Sequence, residues 1–217
     1  MDKETILIFA NGEIEDPEWV RPLLVRARAT IAADGGVRYL LALGCKPDVL
    51  IGDLDSLPEG LEAELAGWHD VEIIRYPVAK NETDLELALL YAMDRYPGAE
   101  IMILGGVGGR LDQTLANILL LAHPALADYA IRLEQAGESA WLVADETRFE
   151  GRPGDRVSLI PMGGSVHVAE TTGLRWPLED EVLEFGPARG ISNELSAKSA
   201  SVRLNSGLLL CIQATSR

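Results

Sequence analysis

The 217 residues carry 34 acidic against 19 basic side chains, a formal charge of −15, which repels a phosphate backbone and argues against nucleic acid as a partner. With 47% hydrophobic and 24% charged residues, the chain can bury a substantial core and fits no disordered or fibrous class. Cys45 and Cys211 stand far apart in no CxxC spacing, which disfavours a disulfide framework or a zinc site; the N-terminal apolar run of about five residues is too short for a signal peptide or a spanning helix, so a soluble cytoplasmic protein without a membrane partner is expected.

Residues 5–10 read as a strand closed by the turn dipeptide Asn11-Gly12, and Asp16-Pro17 starts a helix through Trp19, Leu23, Leu24 and Ala27. A second apolar run over 30–33 ends at Asp34-Gly35-Gly36, before a helix that closes at Gly44. The third, Val49 to Ile51, runs into Gly52-Asp53-Leu54-Asp55-Ser56, with a helix expected over 58–66. On extended chain Asp53 and Asp55 would point the same way and could share one hard cation. The fourth strand, 71–74, leads through Lys80-Asn81-Glu82-Thr83-Asp84 into a helix that Pro97-Gly98 stops. The fifth, 101–104, meets Gly105-Gly106-Val107-Gly108-Gly109-Arg110 and a helix from Asp112 to about Leu121.

Five strand, loop and helix units with short connections predict a mostly parallel, Rossmann-like α/β sheet with flanking helices, whose ligands bind at the carboxyl ends of the strands. Those ends collect Asp34, Asp53, Asp55, Asp84 and Asp112, with Lys80 and Arg110 beside them. Carboxylates clustered without Cys or His suit Mg²⁺, the usual companion of nucleotide phosphates. The glycine run lacks the Lys-Ser/Thr ending of a P-loop, but it can bring backbone N–H groups to phosphate oxygens, with Arg110 neutralising charge.

From about Ile131 helical periodicity gives way to short alternating segments (140–143, 156–160, 165–168, 200–204, 208–212) broken by Gly, Pro and Asn, which predicts an antiparallel, all-β sandwich-like domain. The expected boundary divides an α/β domain, 1–135, from a β-rich domain, 136–217; a strand near 131–133 could still belong to the first sheet. His69, His123 and His167 are scattered, which disfavours a Ser-His-Asp hydrolase. Trp19, Trp68 and Trp141 read as packing residues, whereas Trp176, in the loop-like Gly173-Leu-Arg-Trp-Pro-Leu178, could stack on a planar ligand.

With these residues assembled, the chain resembles the thiamine pyrophosphokinase family over nearly its whole length. The resemblance rests on six motifs in order: Ala33-Asp34-Gly35-Gly36; Pro47-Asp48 with Gly52-Asp53-Leu54-Asp55-Ser56; Lys80 to Asp84; Gly108-Gly109-Arg110 with Asp112-Gln113 and Asn117; 173–178; and Gly190-Ile191-Ser192-Asn193-Glu194. It implies diphosphoryl transfer from Mg-ATP to the thiamine hydroxyl with release of AMP, in a homodimer whose thiamine site lies between subunits. Asp34, Asp53, Asp55, Asp84 and Arg110 are implied catalytic residues, with Asp53, Asp55 and Asp84 holding the metal. Lys80, Asn81, Thr83, Gly108, Gly109, Asp112 and Gln113 are implied nucleotide contacts, and Trp176, Ser192 and Asn193 the thiamine pocket. Asp55 or Asp84 is expected to accept the hydroxyl proton. Many members carry Asp where this chain has Asn81, which offers a neutral carbonyl and cannot act as a base. Rival expectations are another acceptor on the same scaffold, such as a hydroxymethylpterin, and a non-catalytic nucleotide or thiamine sensor.

Overall fold

Apolar runs that end in glycine, each followed by a helix that returns along the sheet, become parallel strands in this chain. The computed structural model describes residues 4–216, and its contacts divide the chain into two units, Met1–Ala136 and Gly137–Arg217. In the first, β1 (Thr5–Phe9), α1 (Arg21–Leu24), β2 (Ala29–Ala33), α2 (Val37–Ala42), β3 (Val49–Gly52), α3 (Leu61–Glu64), β4 (Glu72–Arg75), α4 (Asp84–Arg95), β5 (Glu100–Leu104), α5 (Leu111–Leu120) and β6 (Ile131–Gln135) alternate. Their strands run in the order β6-β5-β1-β2-β3-β4, and each neighbouring pair is parallel. The strand near Ile131 therefore joins this sheet as its sixth member.

Successive strand residues point to opposite faces, and both faces are covered. Leu7, Phe9, Ala32, Leu50 and Leu104 pack with Val20, Leu40, Leu65 and Trp68 from the helical side. On the other face α4, with Leu85, Ala88, Leu89 and Ala92 buried, lies against β1, β2 and β3. Chain order reverses beside β1, which has β2 on one side and β5 on the other. At such a reversal the loops leaving the carboxyl ends diverge and open a crevice.

Two predicted helices are shorter than their sequence patterns. Asp16 caps the first through its side chain on Glu18 N, but Pro22 brings no N–H to continue the hydrogen-bond ladder, so a 3₁₀ turn at Pro17–Val20 gives way to four α-helical residues. In the run expected from Pro58, Gly60 takes a left-handed φ of 83° and the α-helix begins only at Leu61.

The second unit holds β7 (Glu138–Val143), β8 (Glu146–Glu150), β9 (Arg156–Pro161), β10 (Val166–Thr172), β11 (Glu179–Leu183), β12 (Asn193–Glu194), β13 (Ser199–Ser206) and β14 (Leu209–Ala214). They pair antiparallel in the orders β12-β9-β14-β7 and β11-β10-β13-β8. Inward side chains form one core, including Val157, Leu159, Val168, Val202, Leu204 and Cys211, in which the Trp141 and Phe149 rings meet edge-on with centroids 5.3 Å apart. β8 and β11 escape the sequence pattern because Glu, Asp and Arg occupy most of their positions and leave one or two inward apolar residues each.

Asp155 ties this unit's C-terminal end to the turn before β9. It is 1% exposed and accepts from Arg152 N at 2.8 Å, Ser216 N at 2.9 Å and Ser216 Oγ at 3.3 Å. The Arg152 and Ser216 N–H groups hold its carboxyl below the ordinary 3.8. Its contribution to stability is thus complete above that value and lost as pH falls through the depressed one. Asp155→Asn turns an amide donor toward these donors, and the expected loss is about 2 kcal/mol at neutral pH. Urea unfolding at neutral and acid pH should show the two proteins converging as the wild type is protonated; equal midpoints at neutral pH would show that the clasp carries no stability.

Candidate active site

The carboxyl ends of β1, β2, β3 and β5 and the loop before α4 surround a cleft of about 560 Å³, lined by Asn11, Asp34, Asp53, Asp55, Lys80, Asp84 and Arg110 among others. Asp34 follows β2 with a left-handed φ of 46°, a conformation Asp and Asn tolerate better than most side chains. It is 4% exposed, and its Oδ1 is buried without a hydrogen-bond partner. Burial outweighs the hydrogen bonds from Ser56 and Gly35 and pushes its pKa up. Gly52 makes room for it: a Cβ there would lie 3.0 Å from Asp34 Cβ and 3.1 Å from Asp84 Oδ1.

The segment after β3 is not extended, because Leu54 takes a φ of 66° and buries its side chain. Asp53 and Asp55 are held by this turn, in which Asp55 N donates to Asp53 Oδ1 at 3.2 Å. The shared direction anticipated from extended chain is therefore replaced by a folded loop, and the two carboxylates still converge. Asp34, Asp53 and Asp55 each present an oxygen within 4.8 Å of the others. An orphaned buried carboxylate oxygen within a cluster of hard oxygen donors fits a hard cation such as Mg²⁺.

Asp84 meets Lys80 instead. The Lys80 ammonium, with a side chain 9% exposed, lies 2.9 Å from Asp53 Oδ2 and 3.0 Å from Asp84 Oδ1. Burial lowers the pKa of this amine, and the two carboxylates more than reverse the effect, so it stands above the ordinary lysine value. Lys80 in turn holds the Asp53 carboxyl below the ordinary range.

Of the implied nucleotide contacts, Lys80, Thr83, Gly108, Gly109 and Gln113 line the cleft, as does Arg110; Asn81 and Asp112 do not. The Thr83 hydroxyl caps α4 by accepting from Glu86 N at 3.2 Å, and Asp112 forms an exposed pair with Arg110 at 2.6 Å. Asn81 is exposed. The glycine loop is anchored from α5, where Asn117 Nδ2 donates to Gly106 O at 2.8 Å and Thr114 Oγ1 accepts from Gly108 N at 3.1 Å. Sequence reasoning missed Arg38 and Glu13, which also line the cleft; the only signal for Arg38 is its place two residues beyond Asp34-Gly35-Gly36.

In the second unit the segment from Gly173 to Leu178 is a loop, with Trp176 49% exposed. Asn193, 9% exposed, clamps the backbone of that tryptophan: Nδ2 donates to Trp176 O at 2.6 Å and Oδ1 accepts from Trp176 N at 3.1 Å. Its amide thus positions the Trp176 loop. Arg175 stacks on the Trp176 ring, 4.8 Å from its centroid, and pairs with Glu194 at 2.7 Å. Ser192, with a left-handed φ of 60°, donates its N–H to Ser158 Oγ at 3.2 Å. Trp68 and Trp141 are buried and Trp19 packs on the first core.

Residues 20–133 match the model of the thiamin pyrophosphokinase catalytic domain, and residues 146–209 that of the thiamin pyrophosphokinase vitamin B1 binding domain. The chain belongs to the thiamin pyrophosphokinase family. The thiamine pyrophosphokinase of Bacillus subtilis (strain 168) is 31% identical over 191 residues, covering 85% of this chain and 86% of the relative. The crystal structure of a Bacillus subtilis thiamine pyrophosphokinase superposes with a TM-score of 0.84 at 29% identity, over 99% of this chain and 100% of the other. That of the Geobacillus thermodenitrificans protein gives 0.83 at 26%, over 98% of each. Among the described residues no helix is long and apolar enough to cross a membrane.

Proposed function

We propose that the chain carries out its family's reaction in this cleft, transferring a diphosphoryl group from ATP to the hydroxyl of thiamine and giving thiamine diphosphate and AMP. The observation that carries the reading is the convergence of Asp34, Asp53 and Asp55 at the sheet's reversal point, beside the Lys80 clamp and the glycine loop. The thiamine oxygen forms a bond to the β-phosphorus as the bond from that phosphorus to the α,β-bridging oxygen breaks, and AMP leaves with that oxygen. Such a transfer asks for alignment and charge neutralisation more than covalent chemistry.

Asp34, Asp53 and Asp55 would hold Mg²⁺, with Asp84 beside them through Lys80. When bound, the ion supplies neutralisation of phosphate charge. Lys80 and Arg110 add fixed positive charge, and the glycine loop, anchored through the Gly108 N–H on Thr114 Oγ1, would bring its backbone at Gly109 to the polyphosphate. No histidine lines the cleft, so the hydroxyl proton passes to a carboxylate.

Trp176 offers an exposed ring to the thiamine rings, whose thiazolium is cationic and suits an aromatic face. Trp176→Ala is expected to raise the KM for thiamine about tenfold or more while leaving that for ATP nearly unchanged. Asn193→Ala should do the same more weakly, since it releases the loop and keeps the ring. Steady-state kinetics varying each substrate in turn would decide it, and an equal rise in both KM values would move Trp176 out of the thiamine site.

A second copy of the chain would cover exposed apolar side chains such as Phe185 and Ile191, 62% and 49% exposed, and complete the thiamine site as a homodimer. Neither Cys45 nor Cys211 is joined in a disulfide, in keeping with a reducing cytoplasm. Incubation with ATP, Mg²⁺ and thiamine, followed by product analysis, tests the reaction: thiamine diphosphate with matching AMP supports it, whereas ADP or no product overturns it. A fully active monomer in sedimentation would remove the shared site.

A further inference from the structure

Arg38 is fixed in place without being neutralised. Its guanidinium donates from Nη1 to Asn11 Oδ1 and from Nη2 to Gly12 O and Tyr39 Oη, both at 2.7 Å, and to Asn11 O at 3.1 Å. The group also lies over the Tyr39 ring, 4.6 Å from its centroid. Every acceptor is neutral, and among the described residues none of these bonds uses Nε–H. The other cleft cations, Lys80 and Arg110, each have carboxylate partners, Asp53 and Asp84 for the first and Asp112 for the second. In a chain of charge −15, an arginine that lines a cleft with no carboxylate paired to it among the described residues is a charge held for a ligand.

The surroundings show how it is aimed. Gly12 N donates to Gly105 O at 2.7 Å and Glu13 N to Val107 O at 2.8 Å, so the loop that Arg38 grips is the same one that seats the glycine run. A Cβ on Gly12 would collide with Gly105 O and Val107 O, which leaves this loop no freedom to swing away. The guanidinium therefore sits beside the glycine loop with Nε–H and one Nη1–H to spare, and these charged donors on different edges of the plane can each reach a separate phosphate oxygen.

We propose that Arg38 is a phosphate-binding residue of this cleft, giving Nε–H and a remaining Nη1–H to oxygens of the ATP polyphosphate. The inference rests on the cleft's being the ATP site. Titration calorimetry with Mg-ATP and with adenosine, on the wild type, Arg38→Gln, Arg38→Lys and Tyr39→Phe, separates the possibilities. Arg38→Gln should weaken ATP binding about 10- to 100-fold and leave adenosine binding within about twofold, and Arg38→Lys, which keeps the charge and loses the directed N–H donors, should fall between. Tyr39→Phe loosens the Gly12 loop and keeps the guanidinium, so its preference for ATP over adenosine should stay as in the wild type. An unchanged ATP affinity in Arg38→Gln, a parallel loss for adenosine, or the same loss in Tyr39→Phe overturns the proposal. If Arg38→Gln fails to fold, Arg38→Lys carries the same comparison. A wild type that binds ATP yet forms no thiamine diphosphate refutes the diphosphokinase reading alone, while one that binds neither probe ends both.

Discussion

Asp34→Asn is expected to lower turnover about 10²- to 10³-fold and at the same time to raise the melting temperature measured in EDTA. The two effects share one cause. Asp34 Oδ1 is buried without a partner, and burial raises the carboxyl's pKa, so the ionised group is a liability to the fold when no cation sits on it. Because the folded value lies above the unfolded one, the native protein binds the extra proton; this group's contribution to stability is greatest at or below the ordinary 3.8 and is lost as pH rises through the folded value. The asparagine removes that fall. A gain of about 1 kcal/mol, or about 2–4 °C, is expected near neutral pH. Asparagine accepts the left-handed backbone at this position, so the comparison is free of the strain an alanine would add. Calorimetric melts in EDTA beside turnover measurements would settle it, and a variant that melts lower, or keeps its rate, contradicts the role given to Asp34.

Lys80→Met should shift stability in the opposite direction. Its ammonium is the common partner of Asp53 and Asp84, and a methionine of similar length leaves both carboxylates facing Asp34 with no cation among them. Removing one member of a largely buried ion cluster costs about 3 kcal/mol in the metal-free protein, and turnover should fall about 10²-fold or more through loss of a fixed charge beside the phosphates. Added Mg²⁺ should then raise the melting temperature further in Lys80→Met than in the wild type, because the ion no longer competes with the ammonium for Asp53. Equal melting temperatures for wild type and variant in EDTA would show that solvent, rather than Lys80, compensates these carboxylates.

The pair also separates two roles that look alike in the sequence, where Lys80 and Asp34 are both polar residues just past a strand. One is an uncompensated charge kept for a ligand; the other is the compensation for two of its neighbours. Arg38 belongs with the first kind, since its acceptors are the neutral Asn11, Gly12 and Tyr39.

What the sequence by itself determined is the layout. Apolar runs ending in Gly and followed by helices place Asp34, Asp53 and the glycine run at the carboxyl ends of parallel strands, because a right-handed crossover leaves every such loop on the same edge of the sheet. That is local information, carried by hydrophobic period and turn residues, and it was enough for the α/β and sandwich architecture and for most of the acidic cluster. It did not reach short charged strands such as β11, whose single inward Leu183 makes no pattern. Tertiary structure alone decided which side chain pairs with which. Asn193 holds the backbone of Trp176, 17 positions away, through its amide. Asp84 pairs with Lys80, whose other partner, Asp53, is 27 positions away. Arg38 is marked in the sequence only by its place two residues beyond Asp34-Gly35-Gly36, because the loop that orients it follows β1, on the far side of β2 in sequence. Burial and hydrogen-bond partners are set by what the fold brings close. The same residue types in the same order can therefore serve as ligand, clamp or counter-charge.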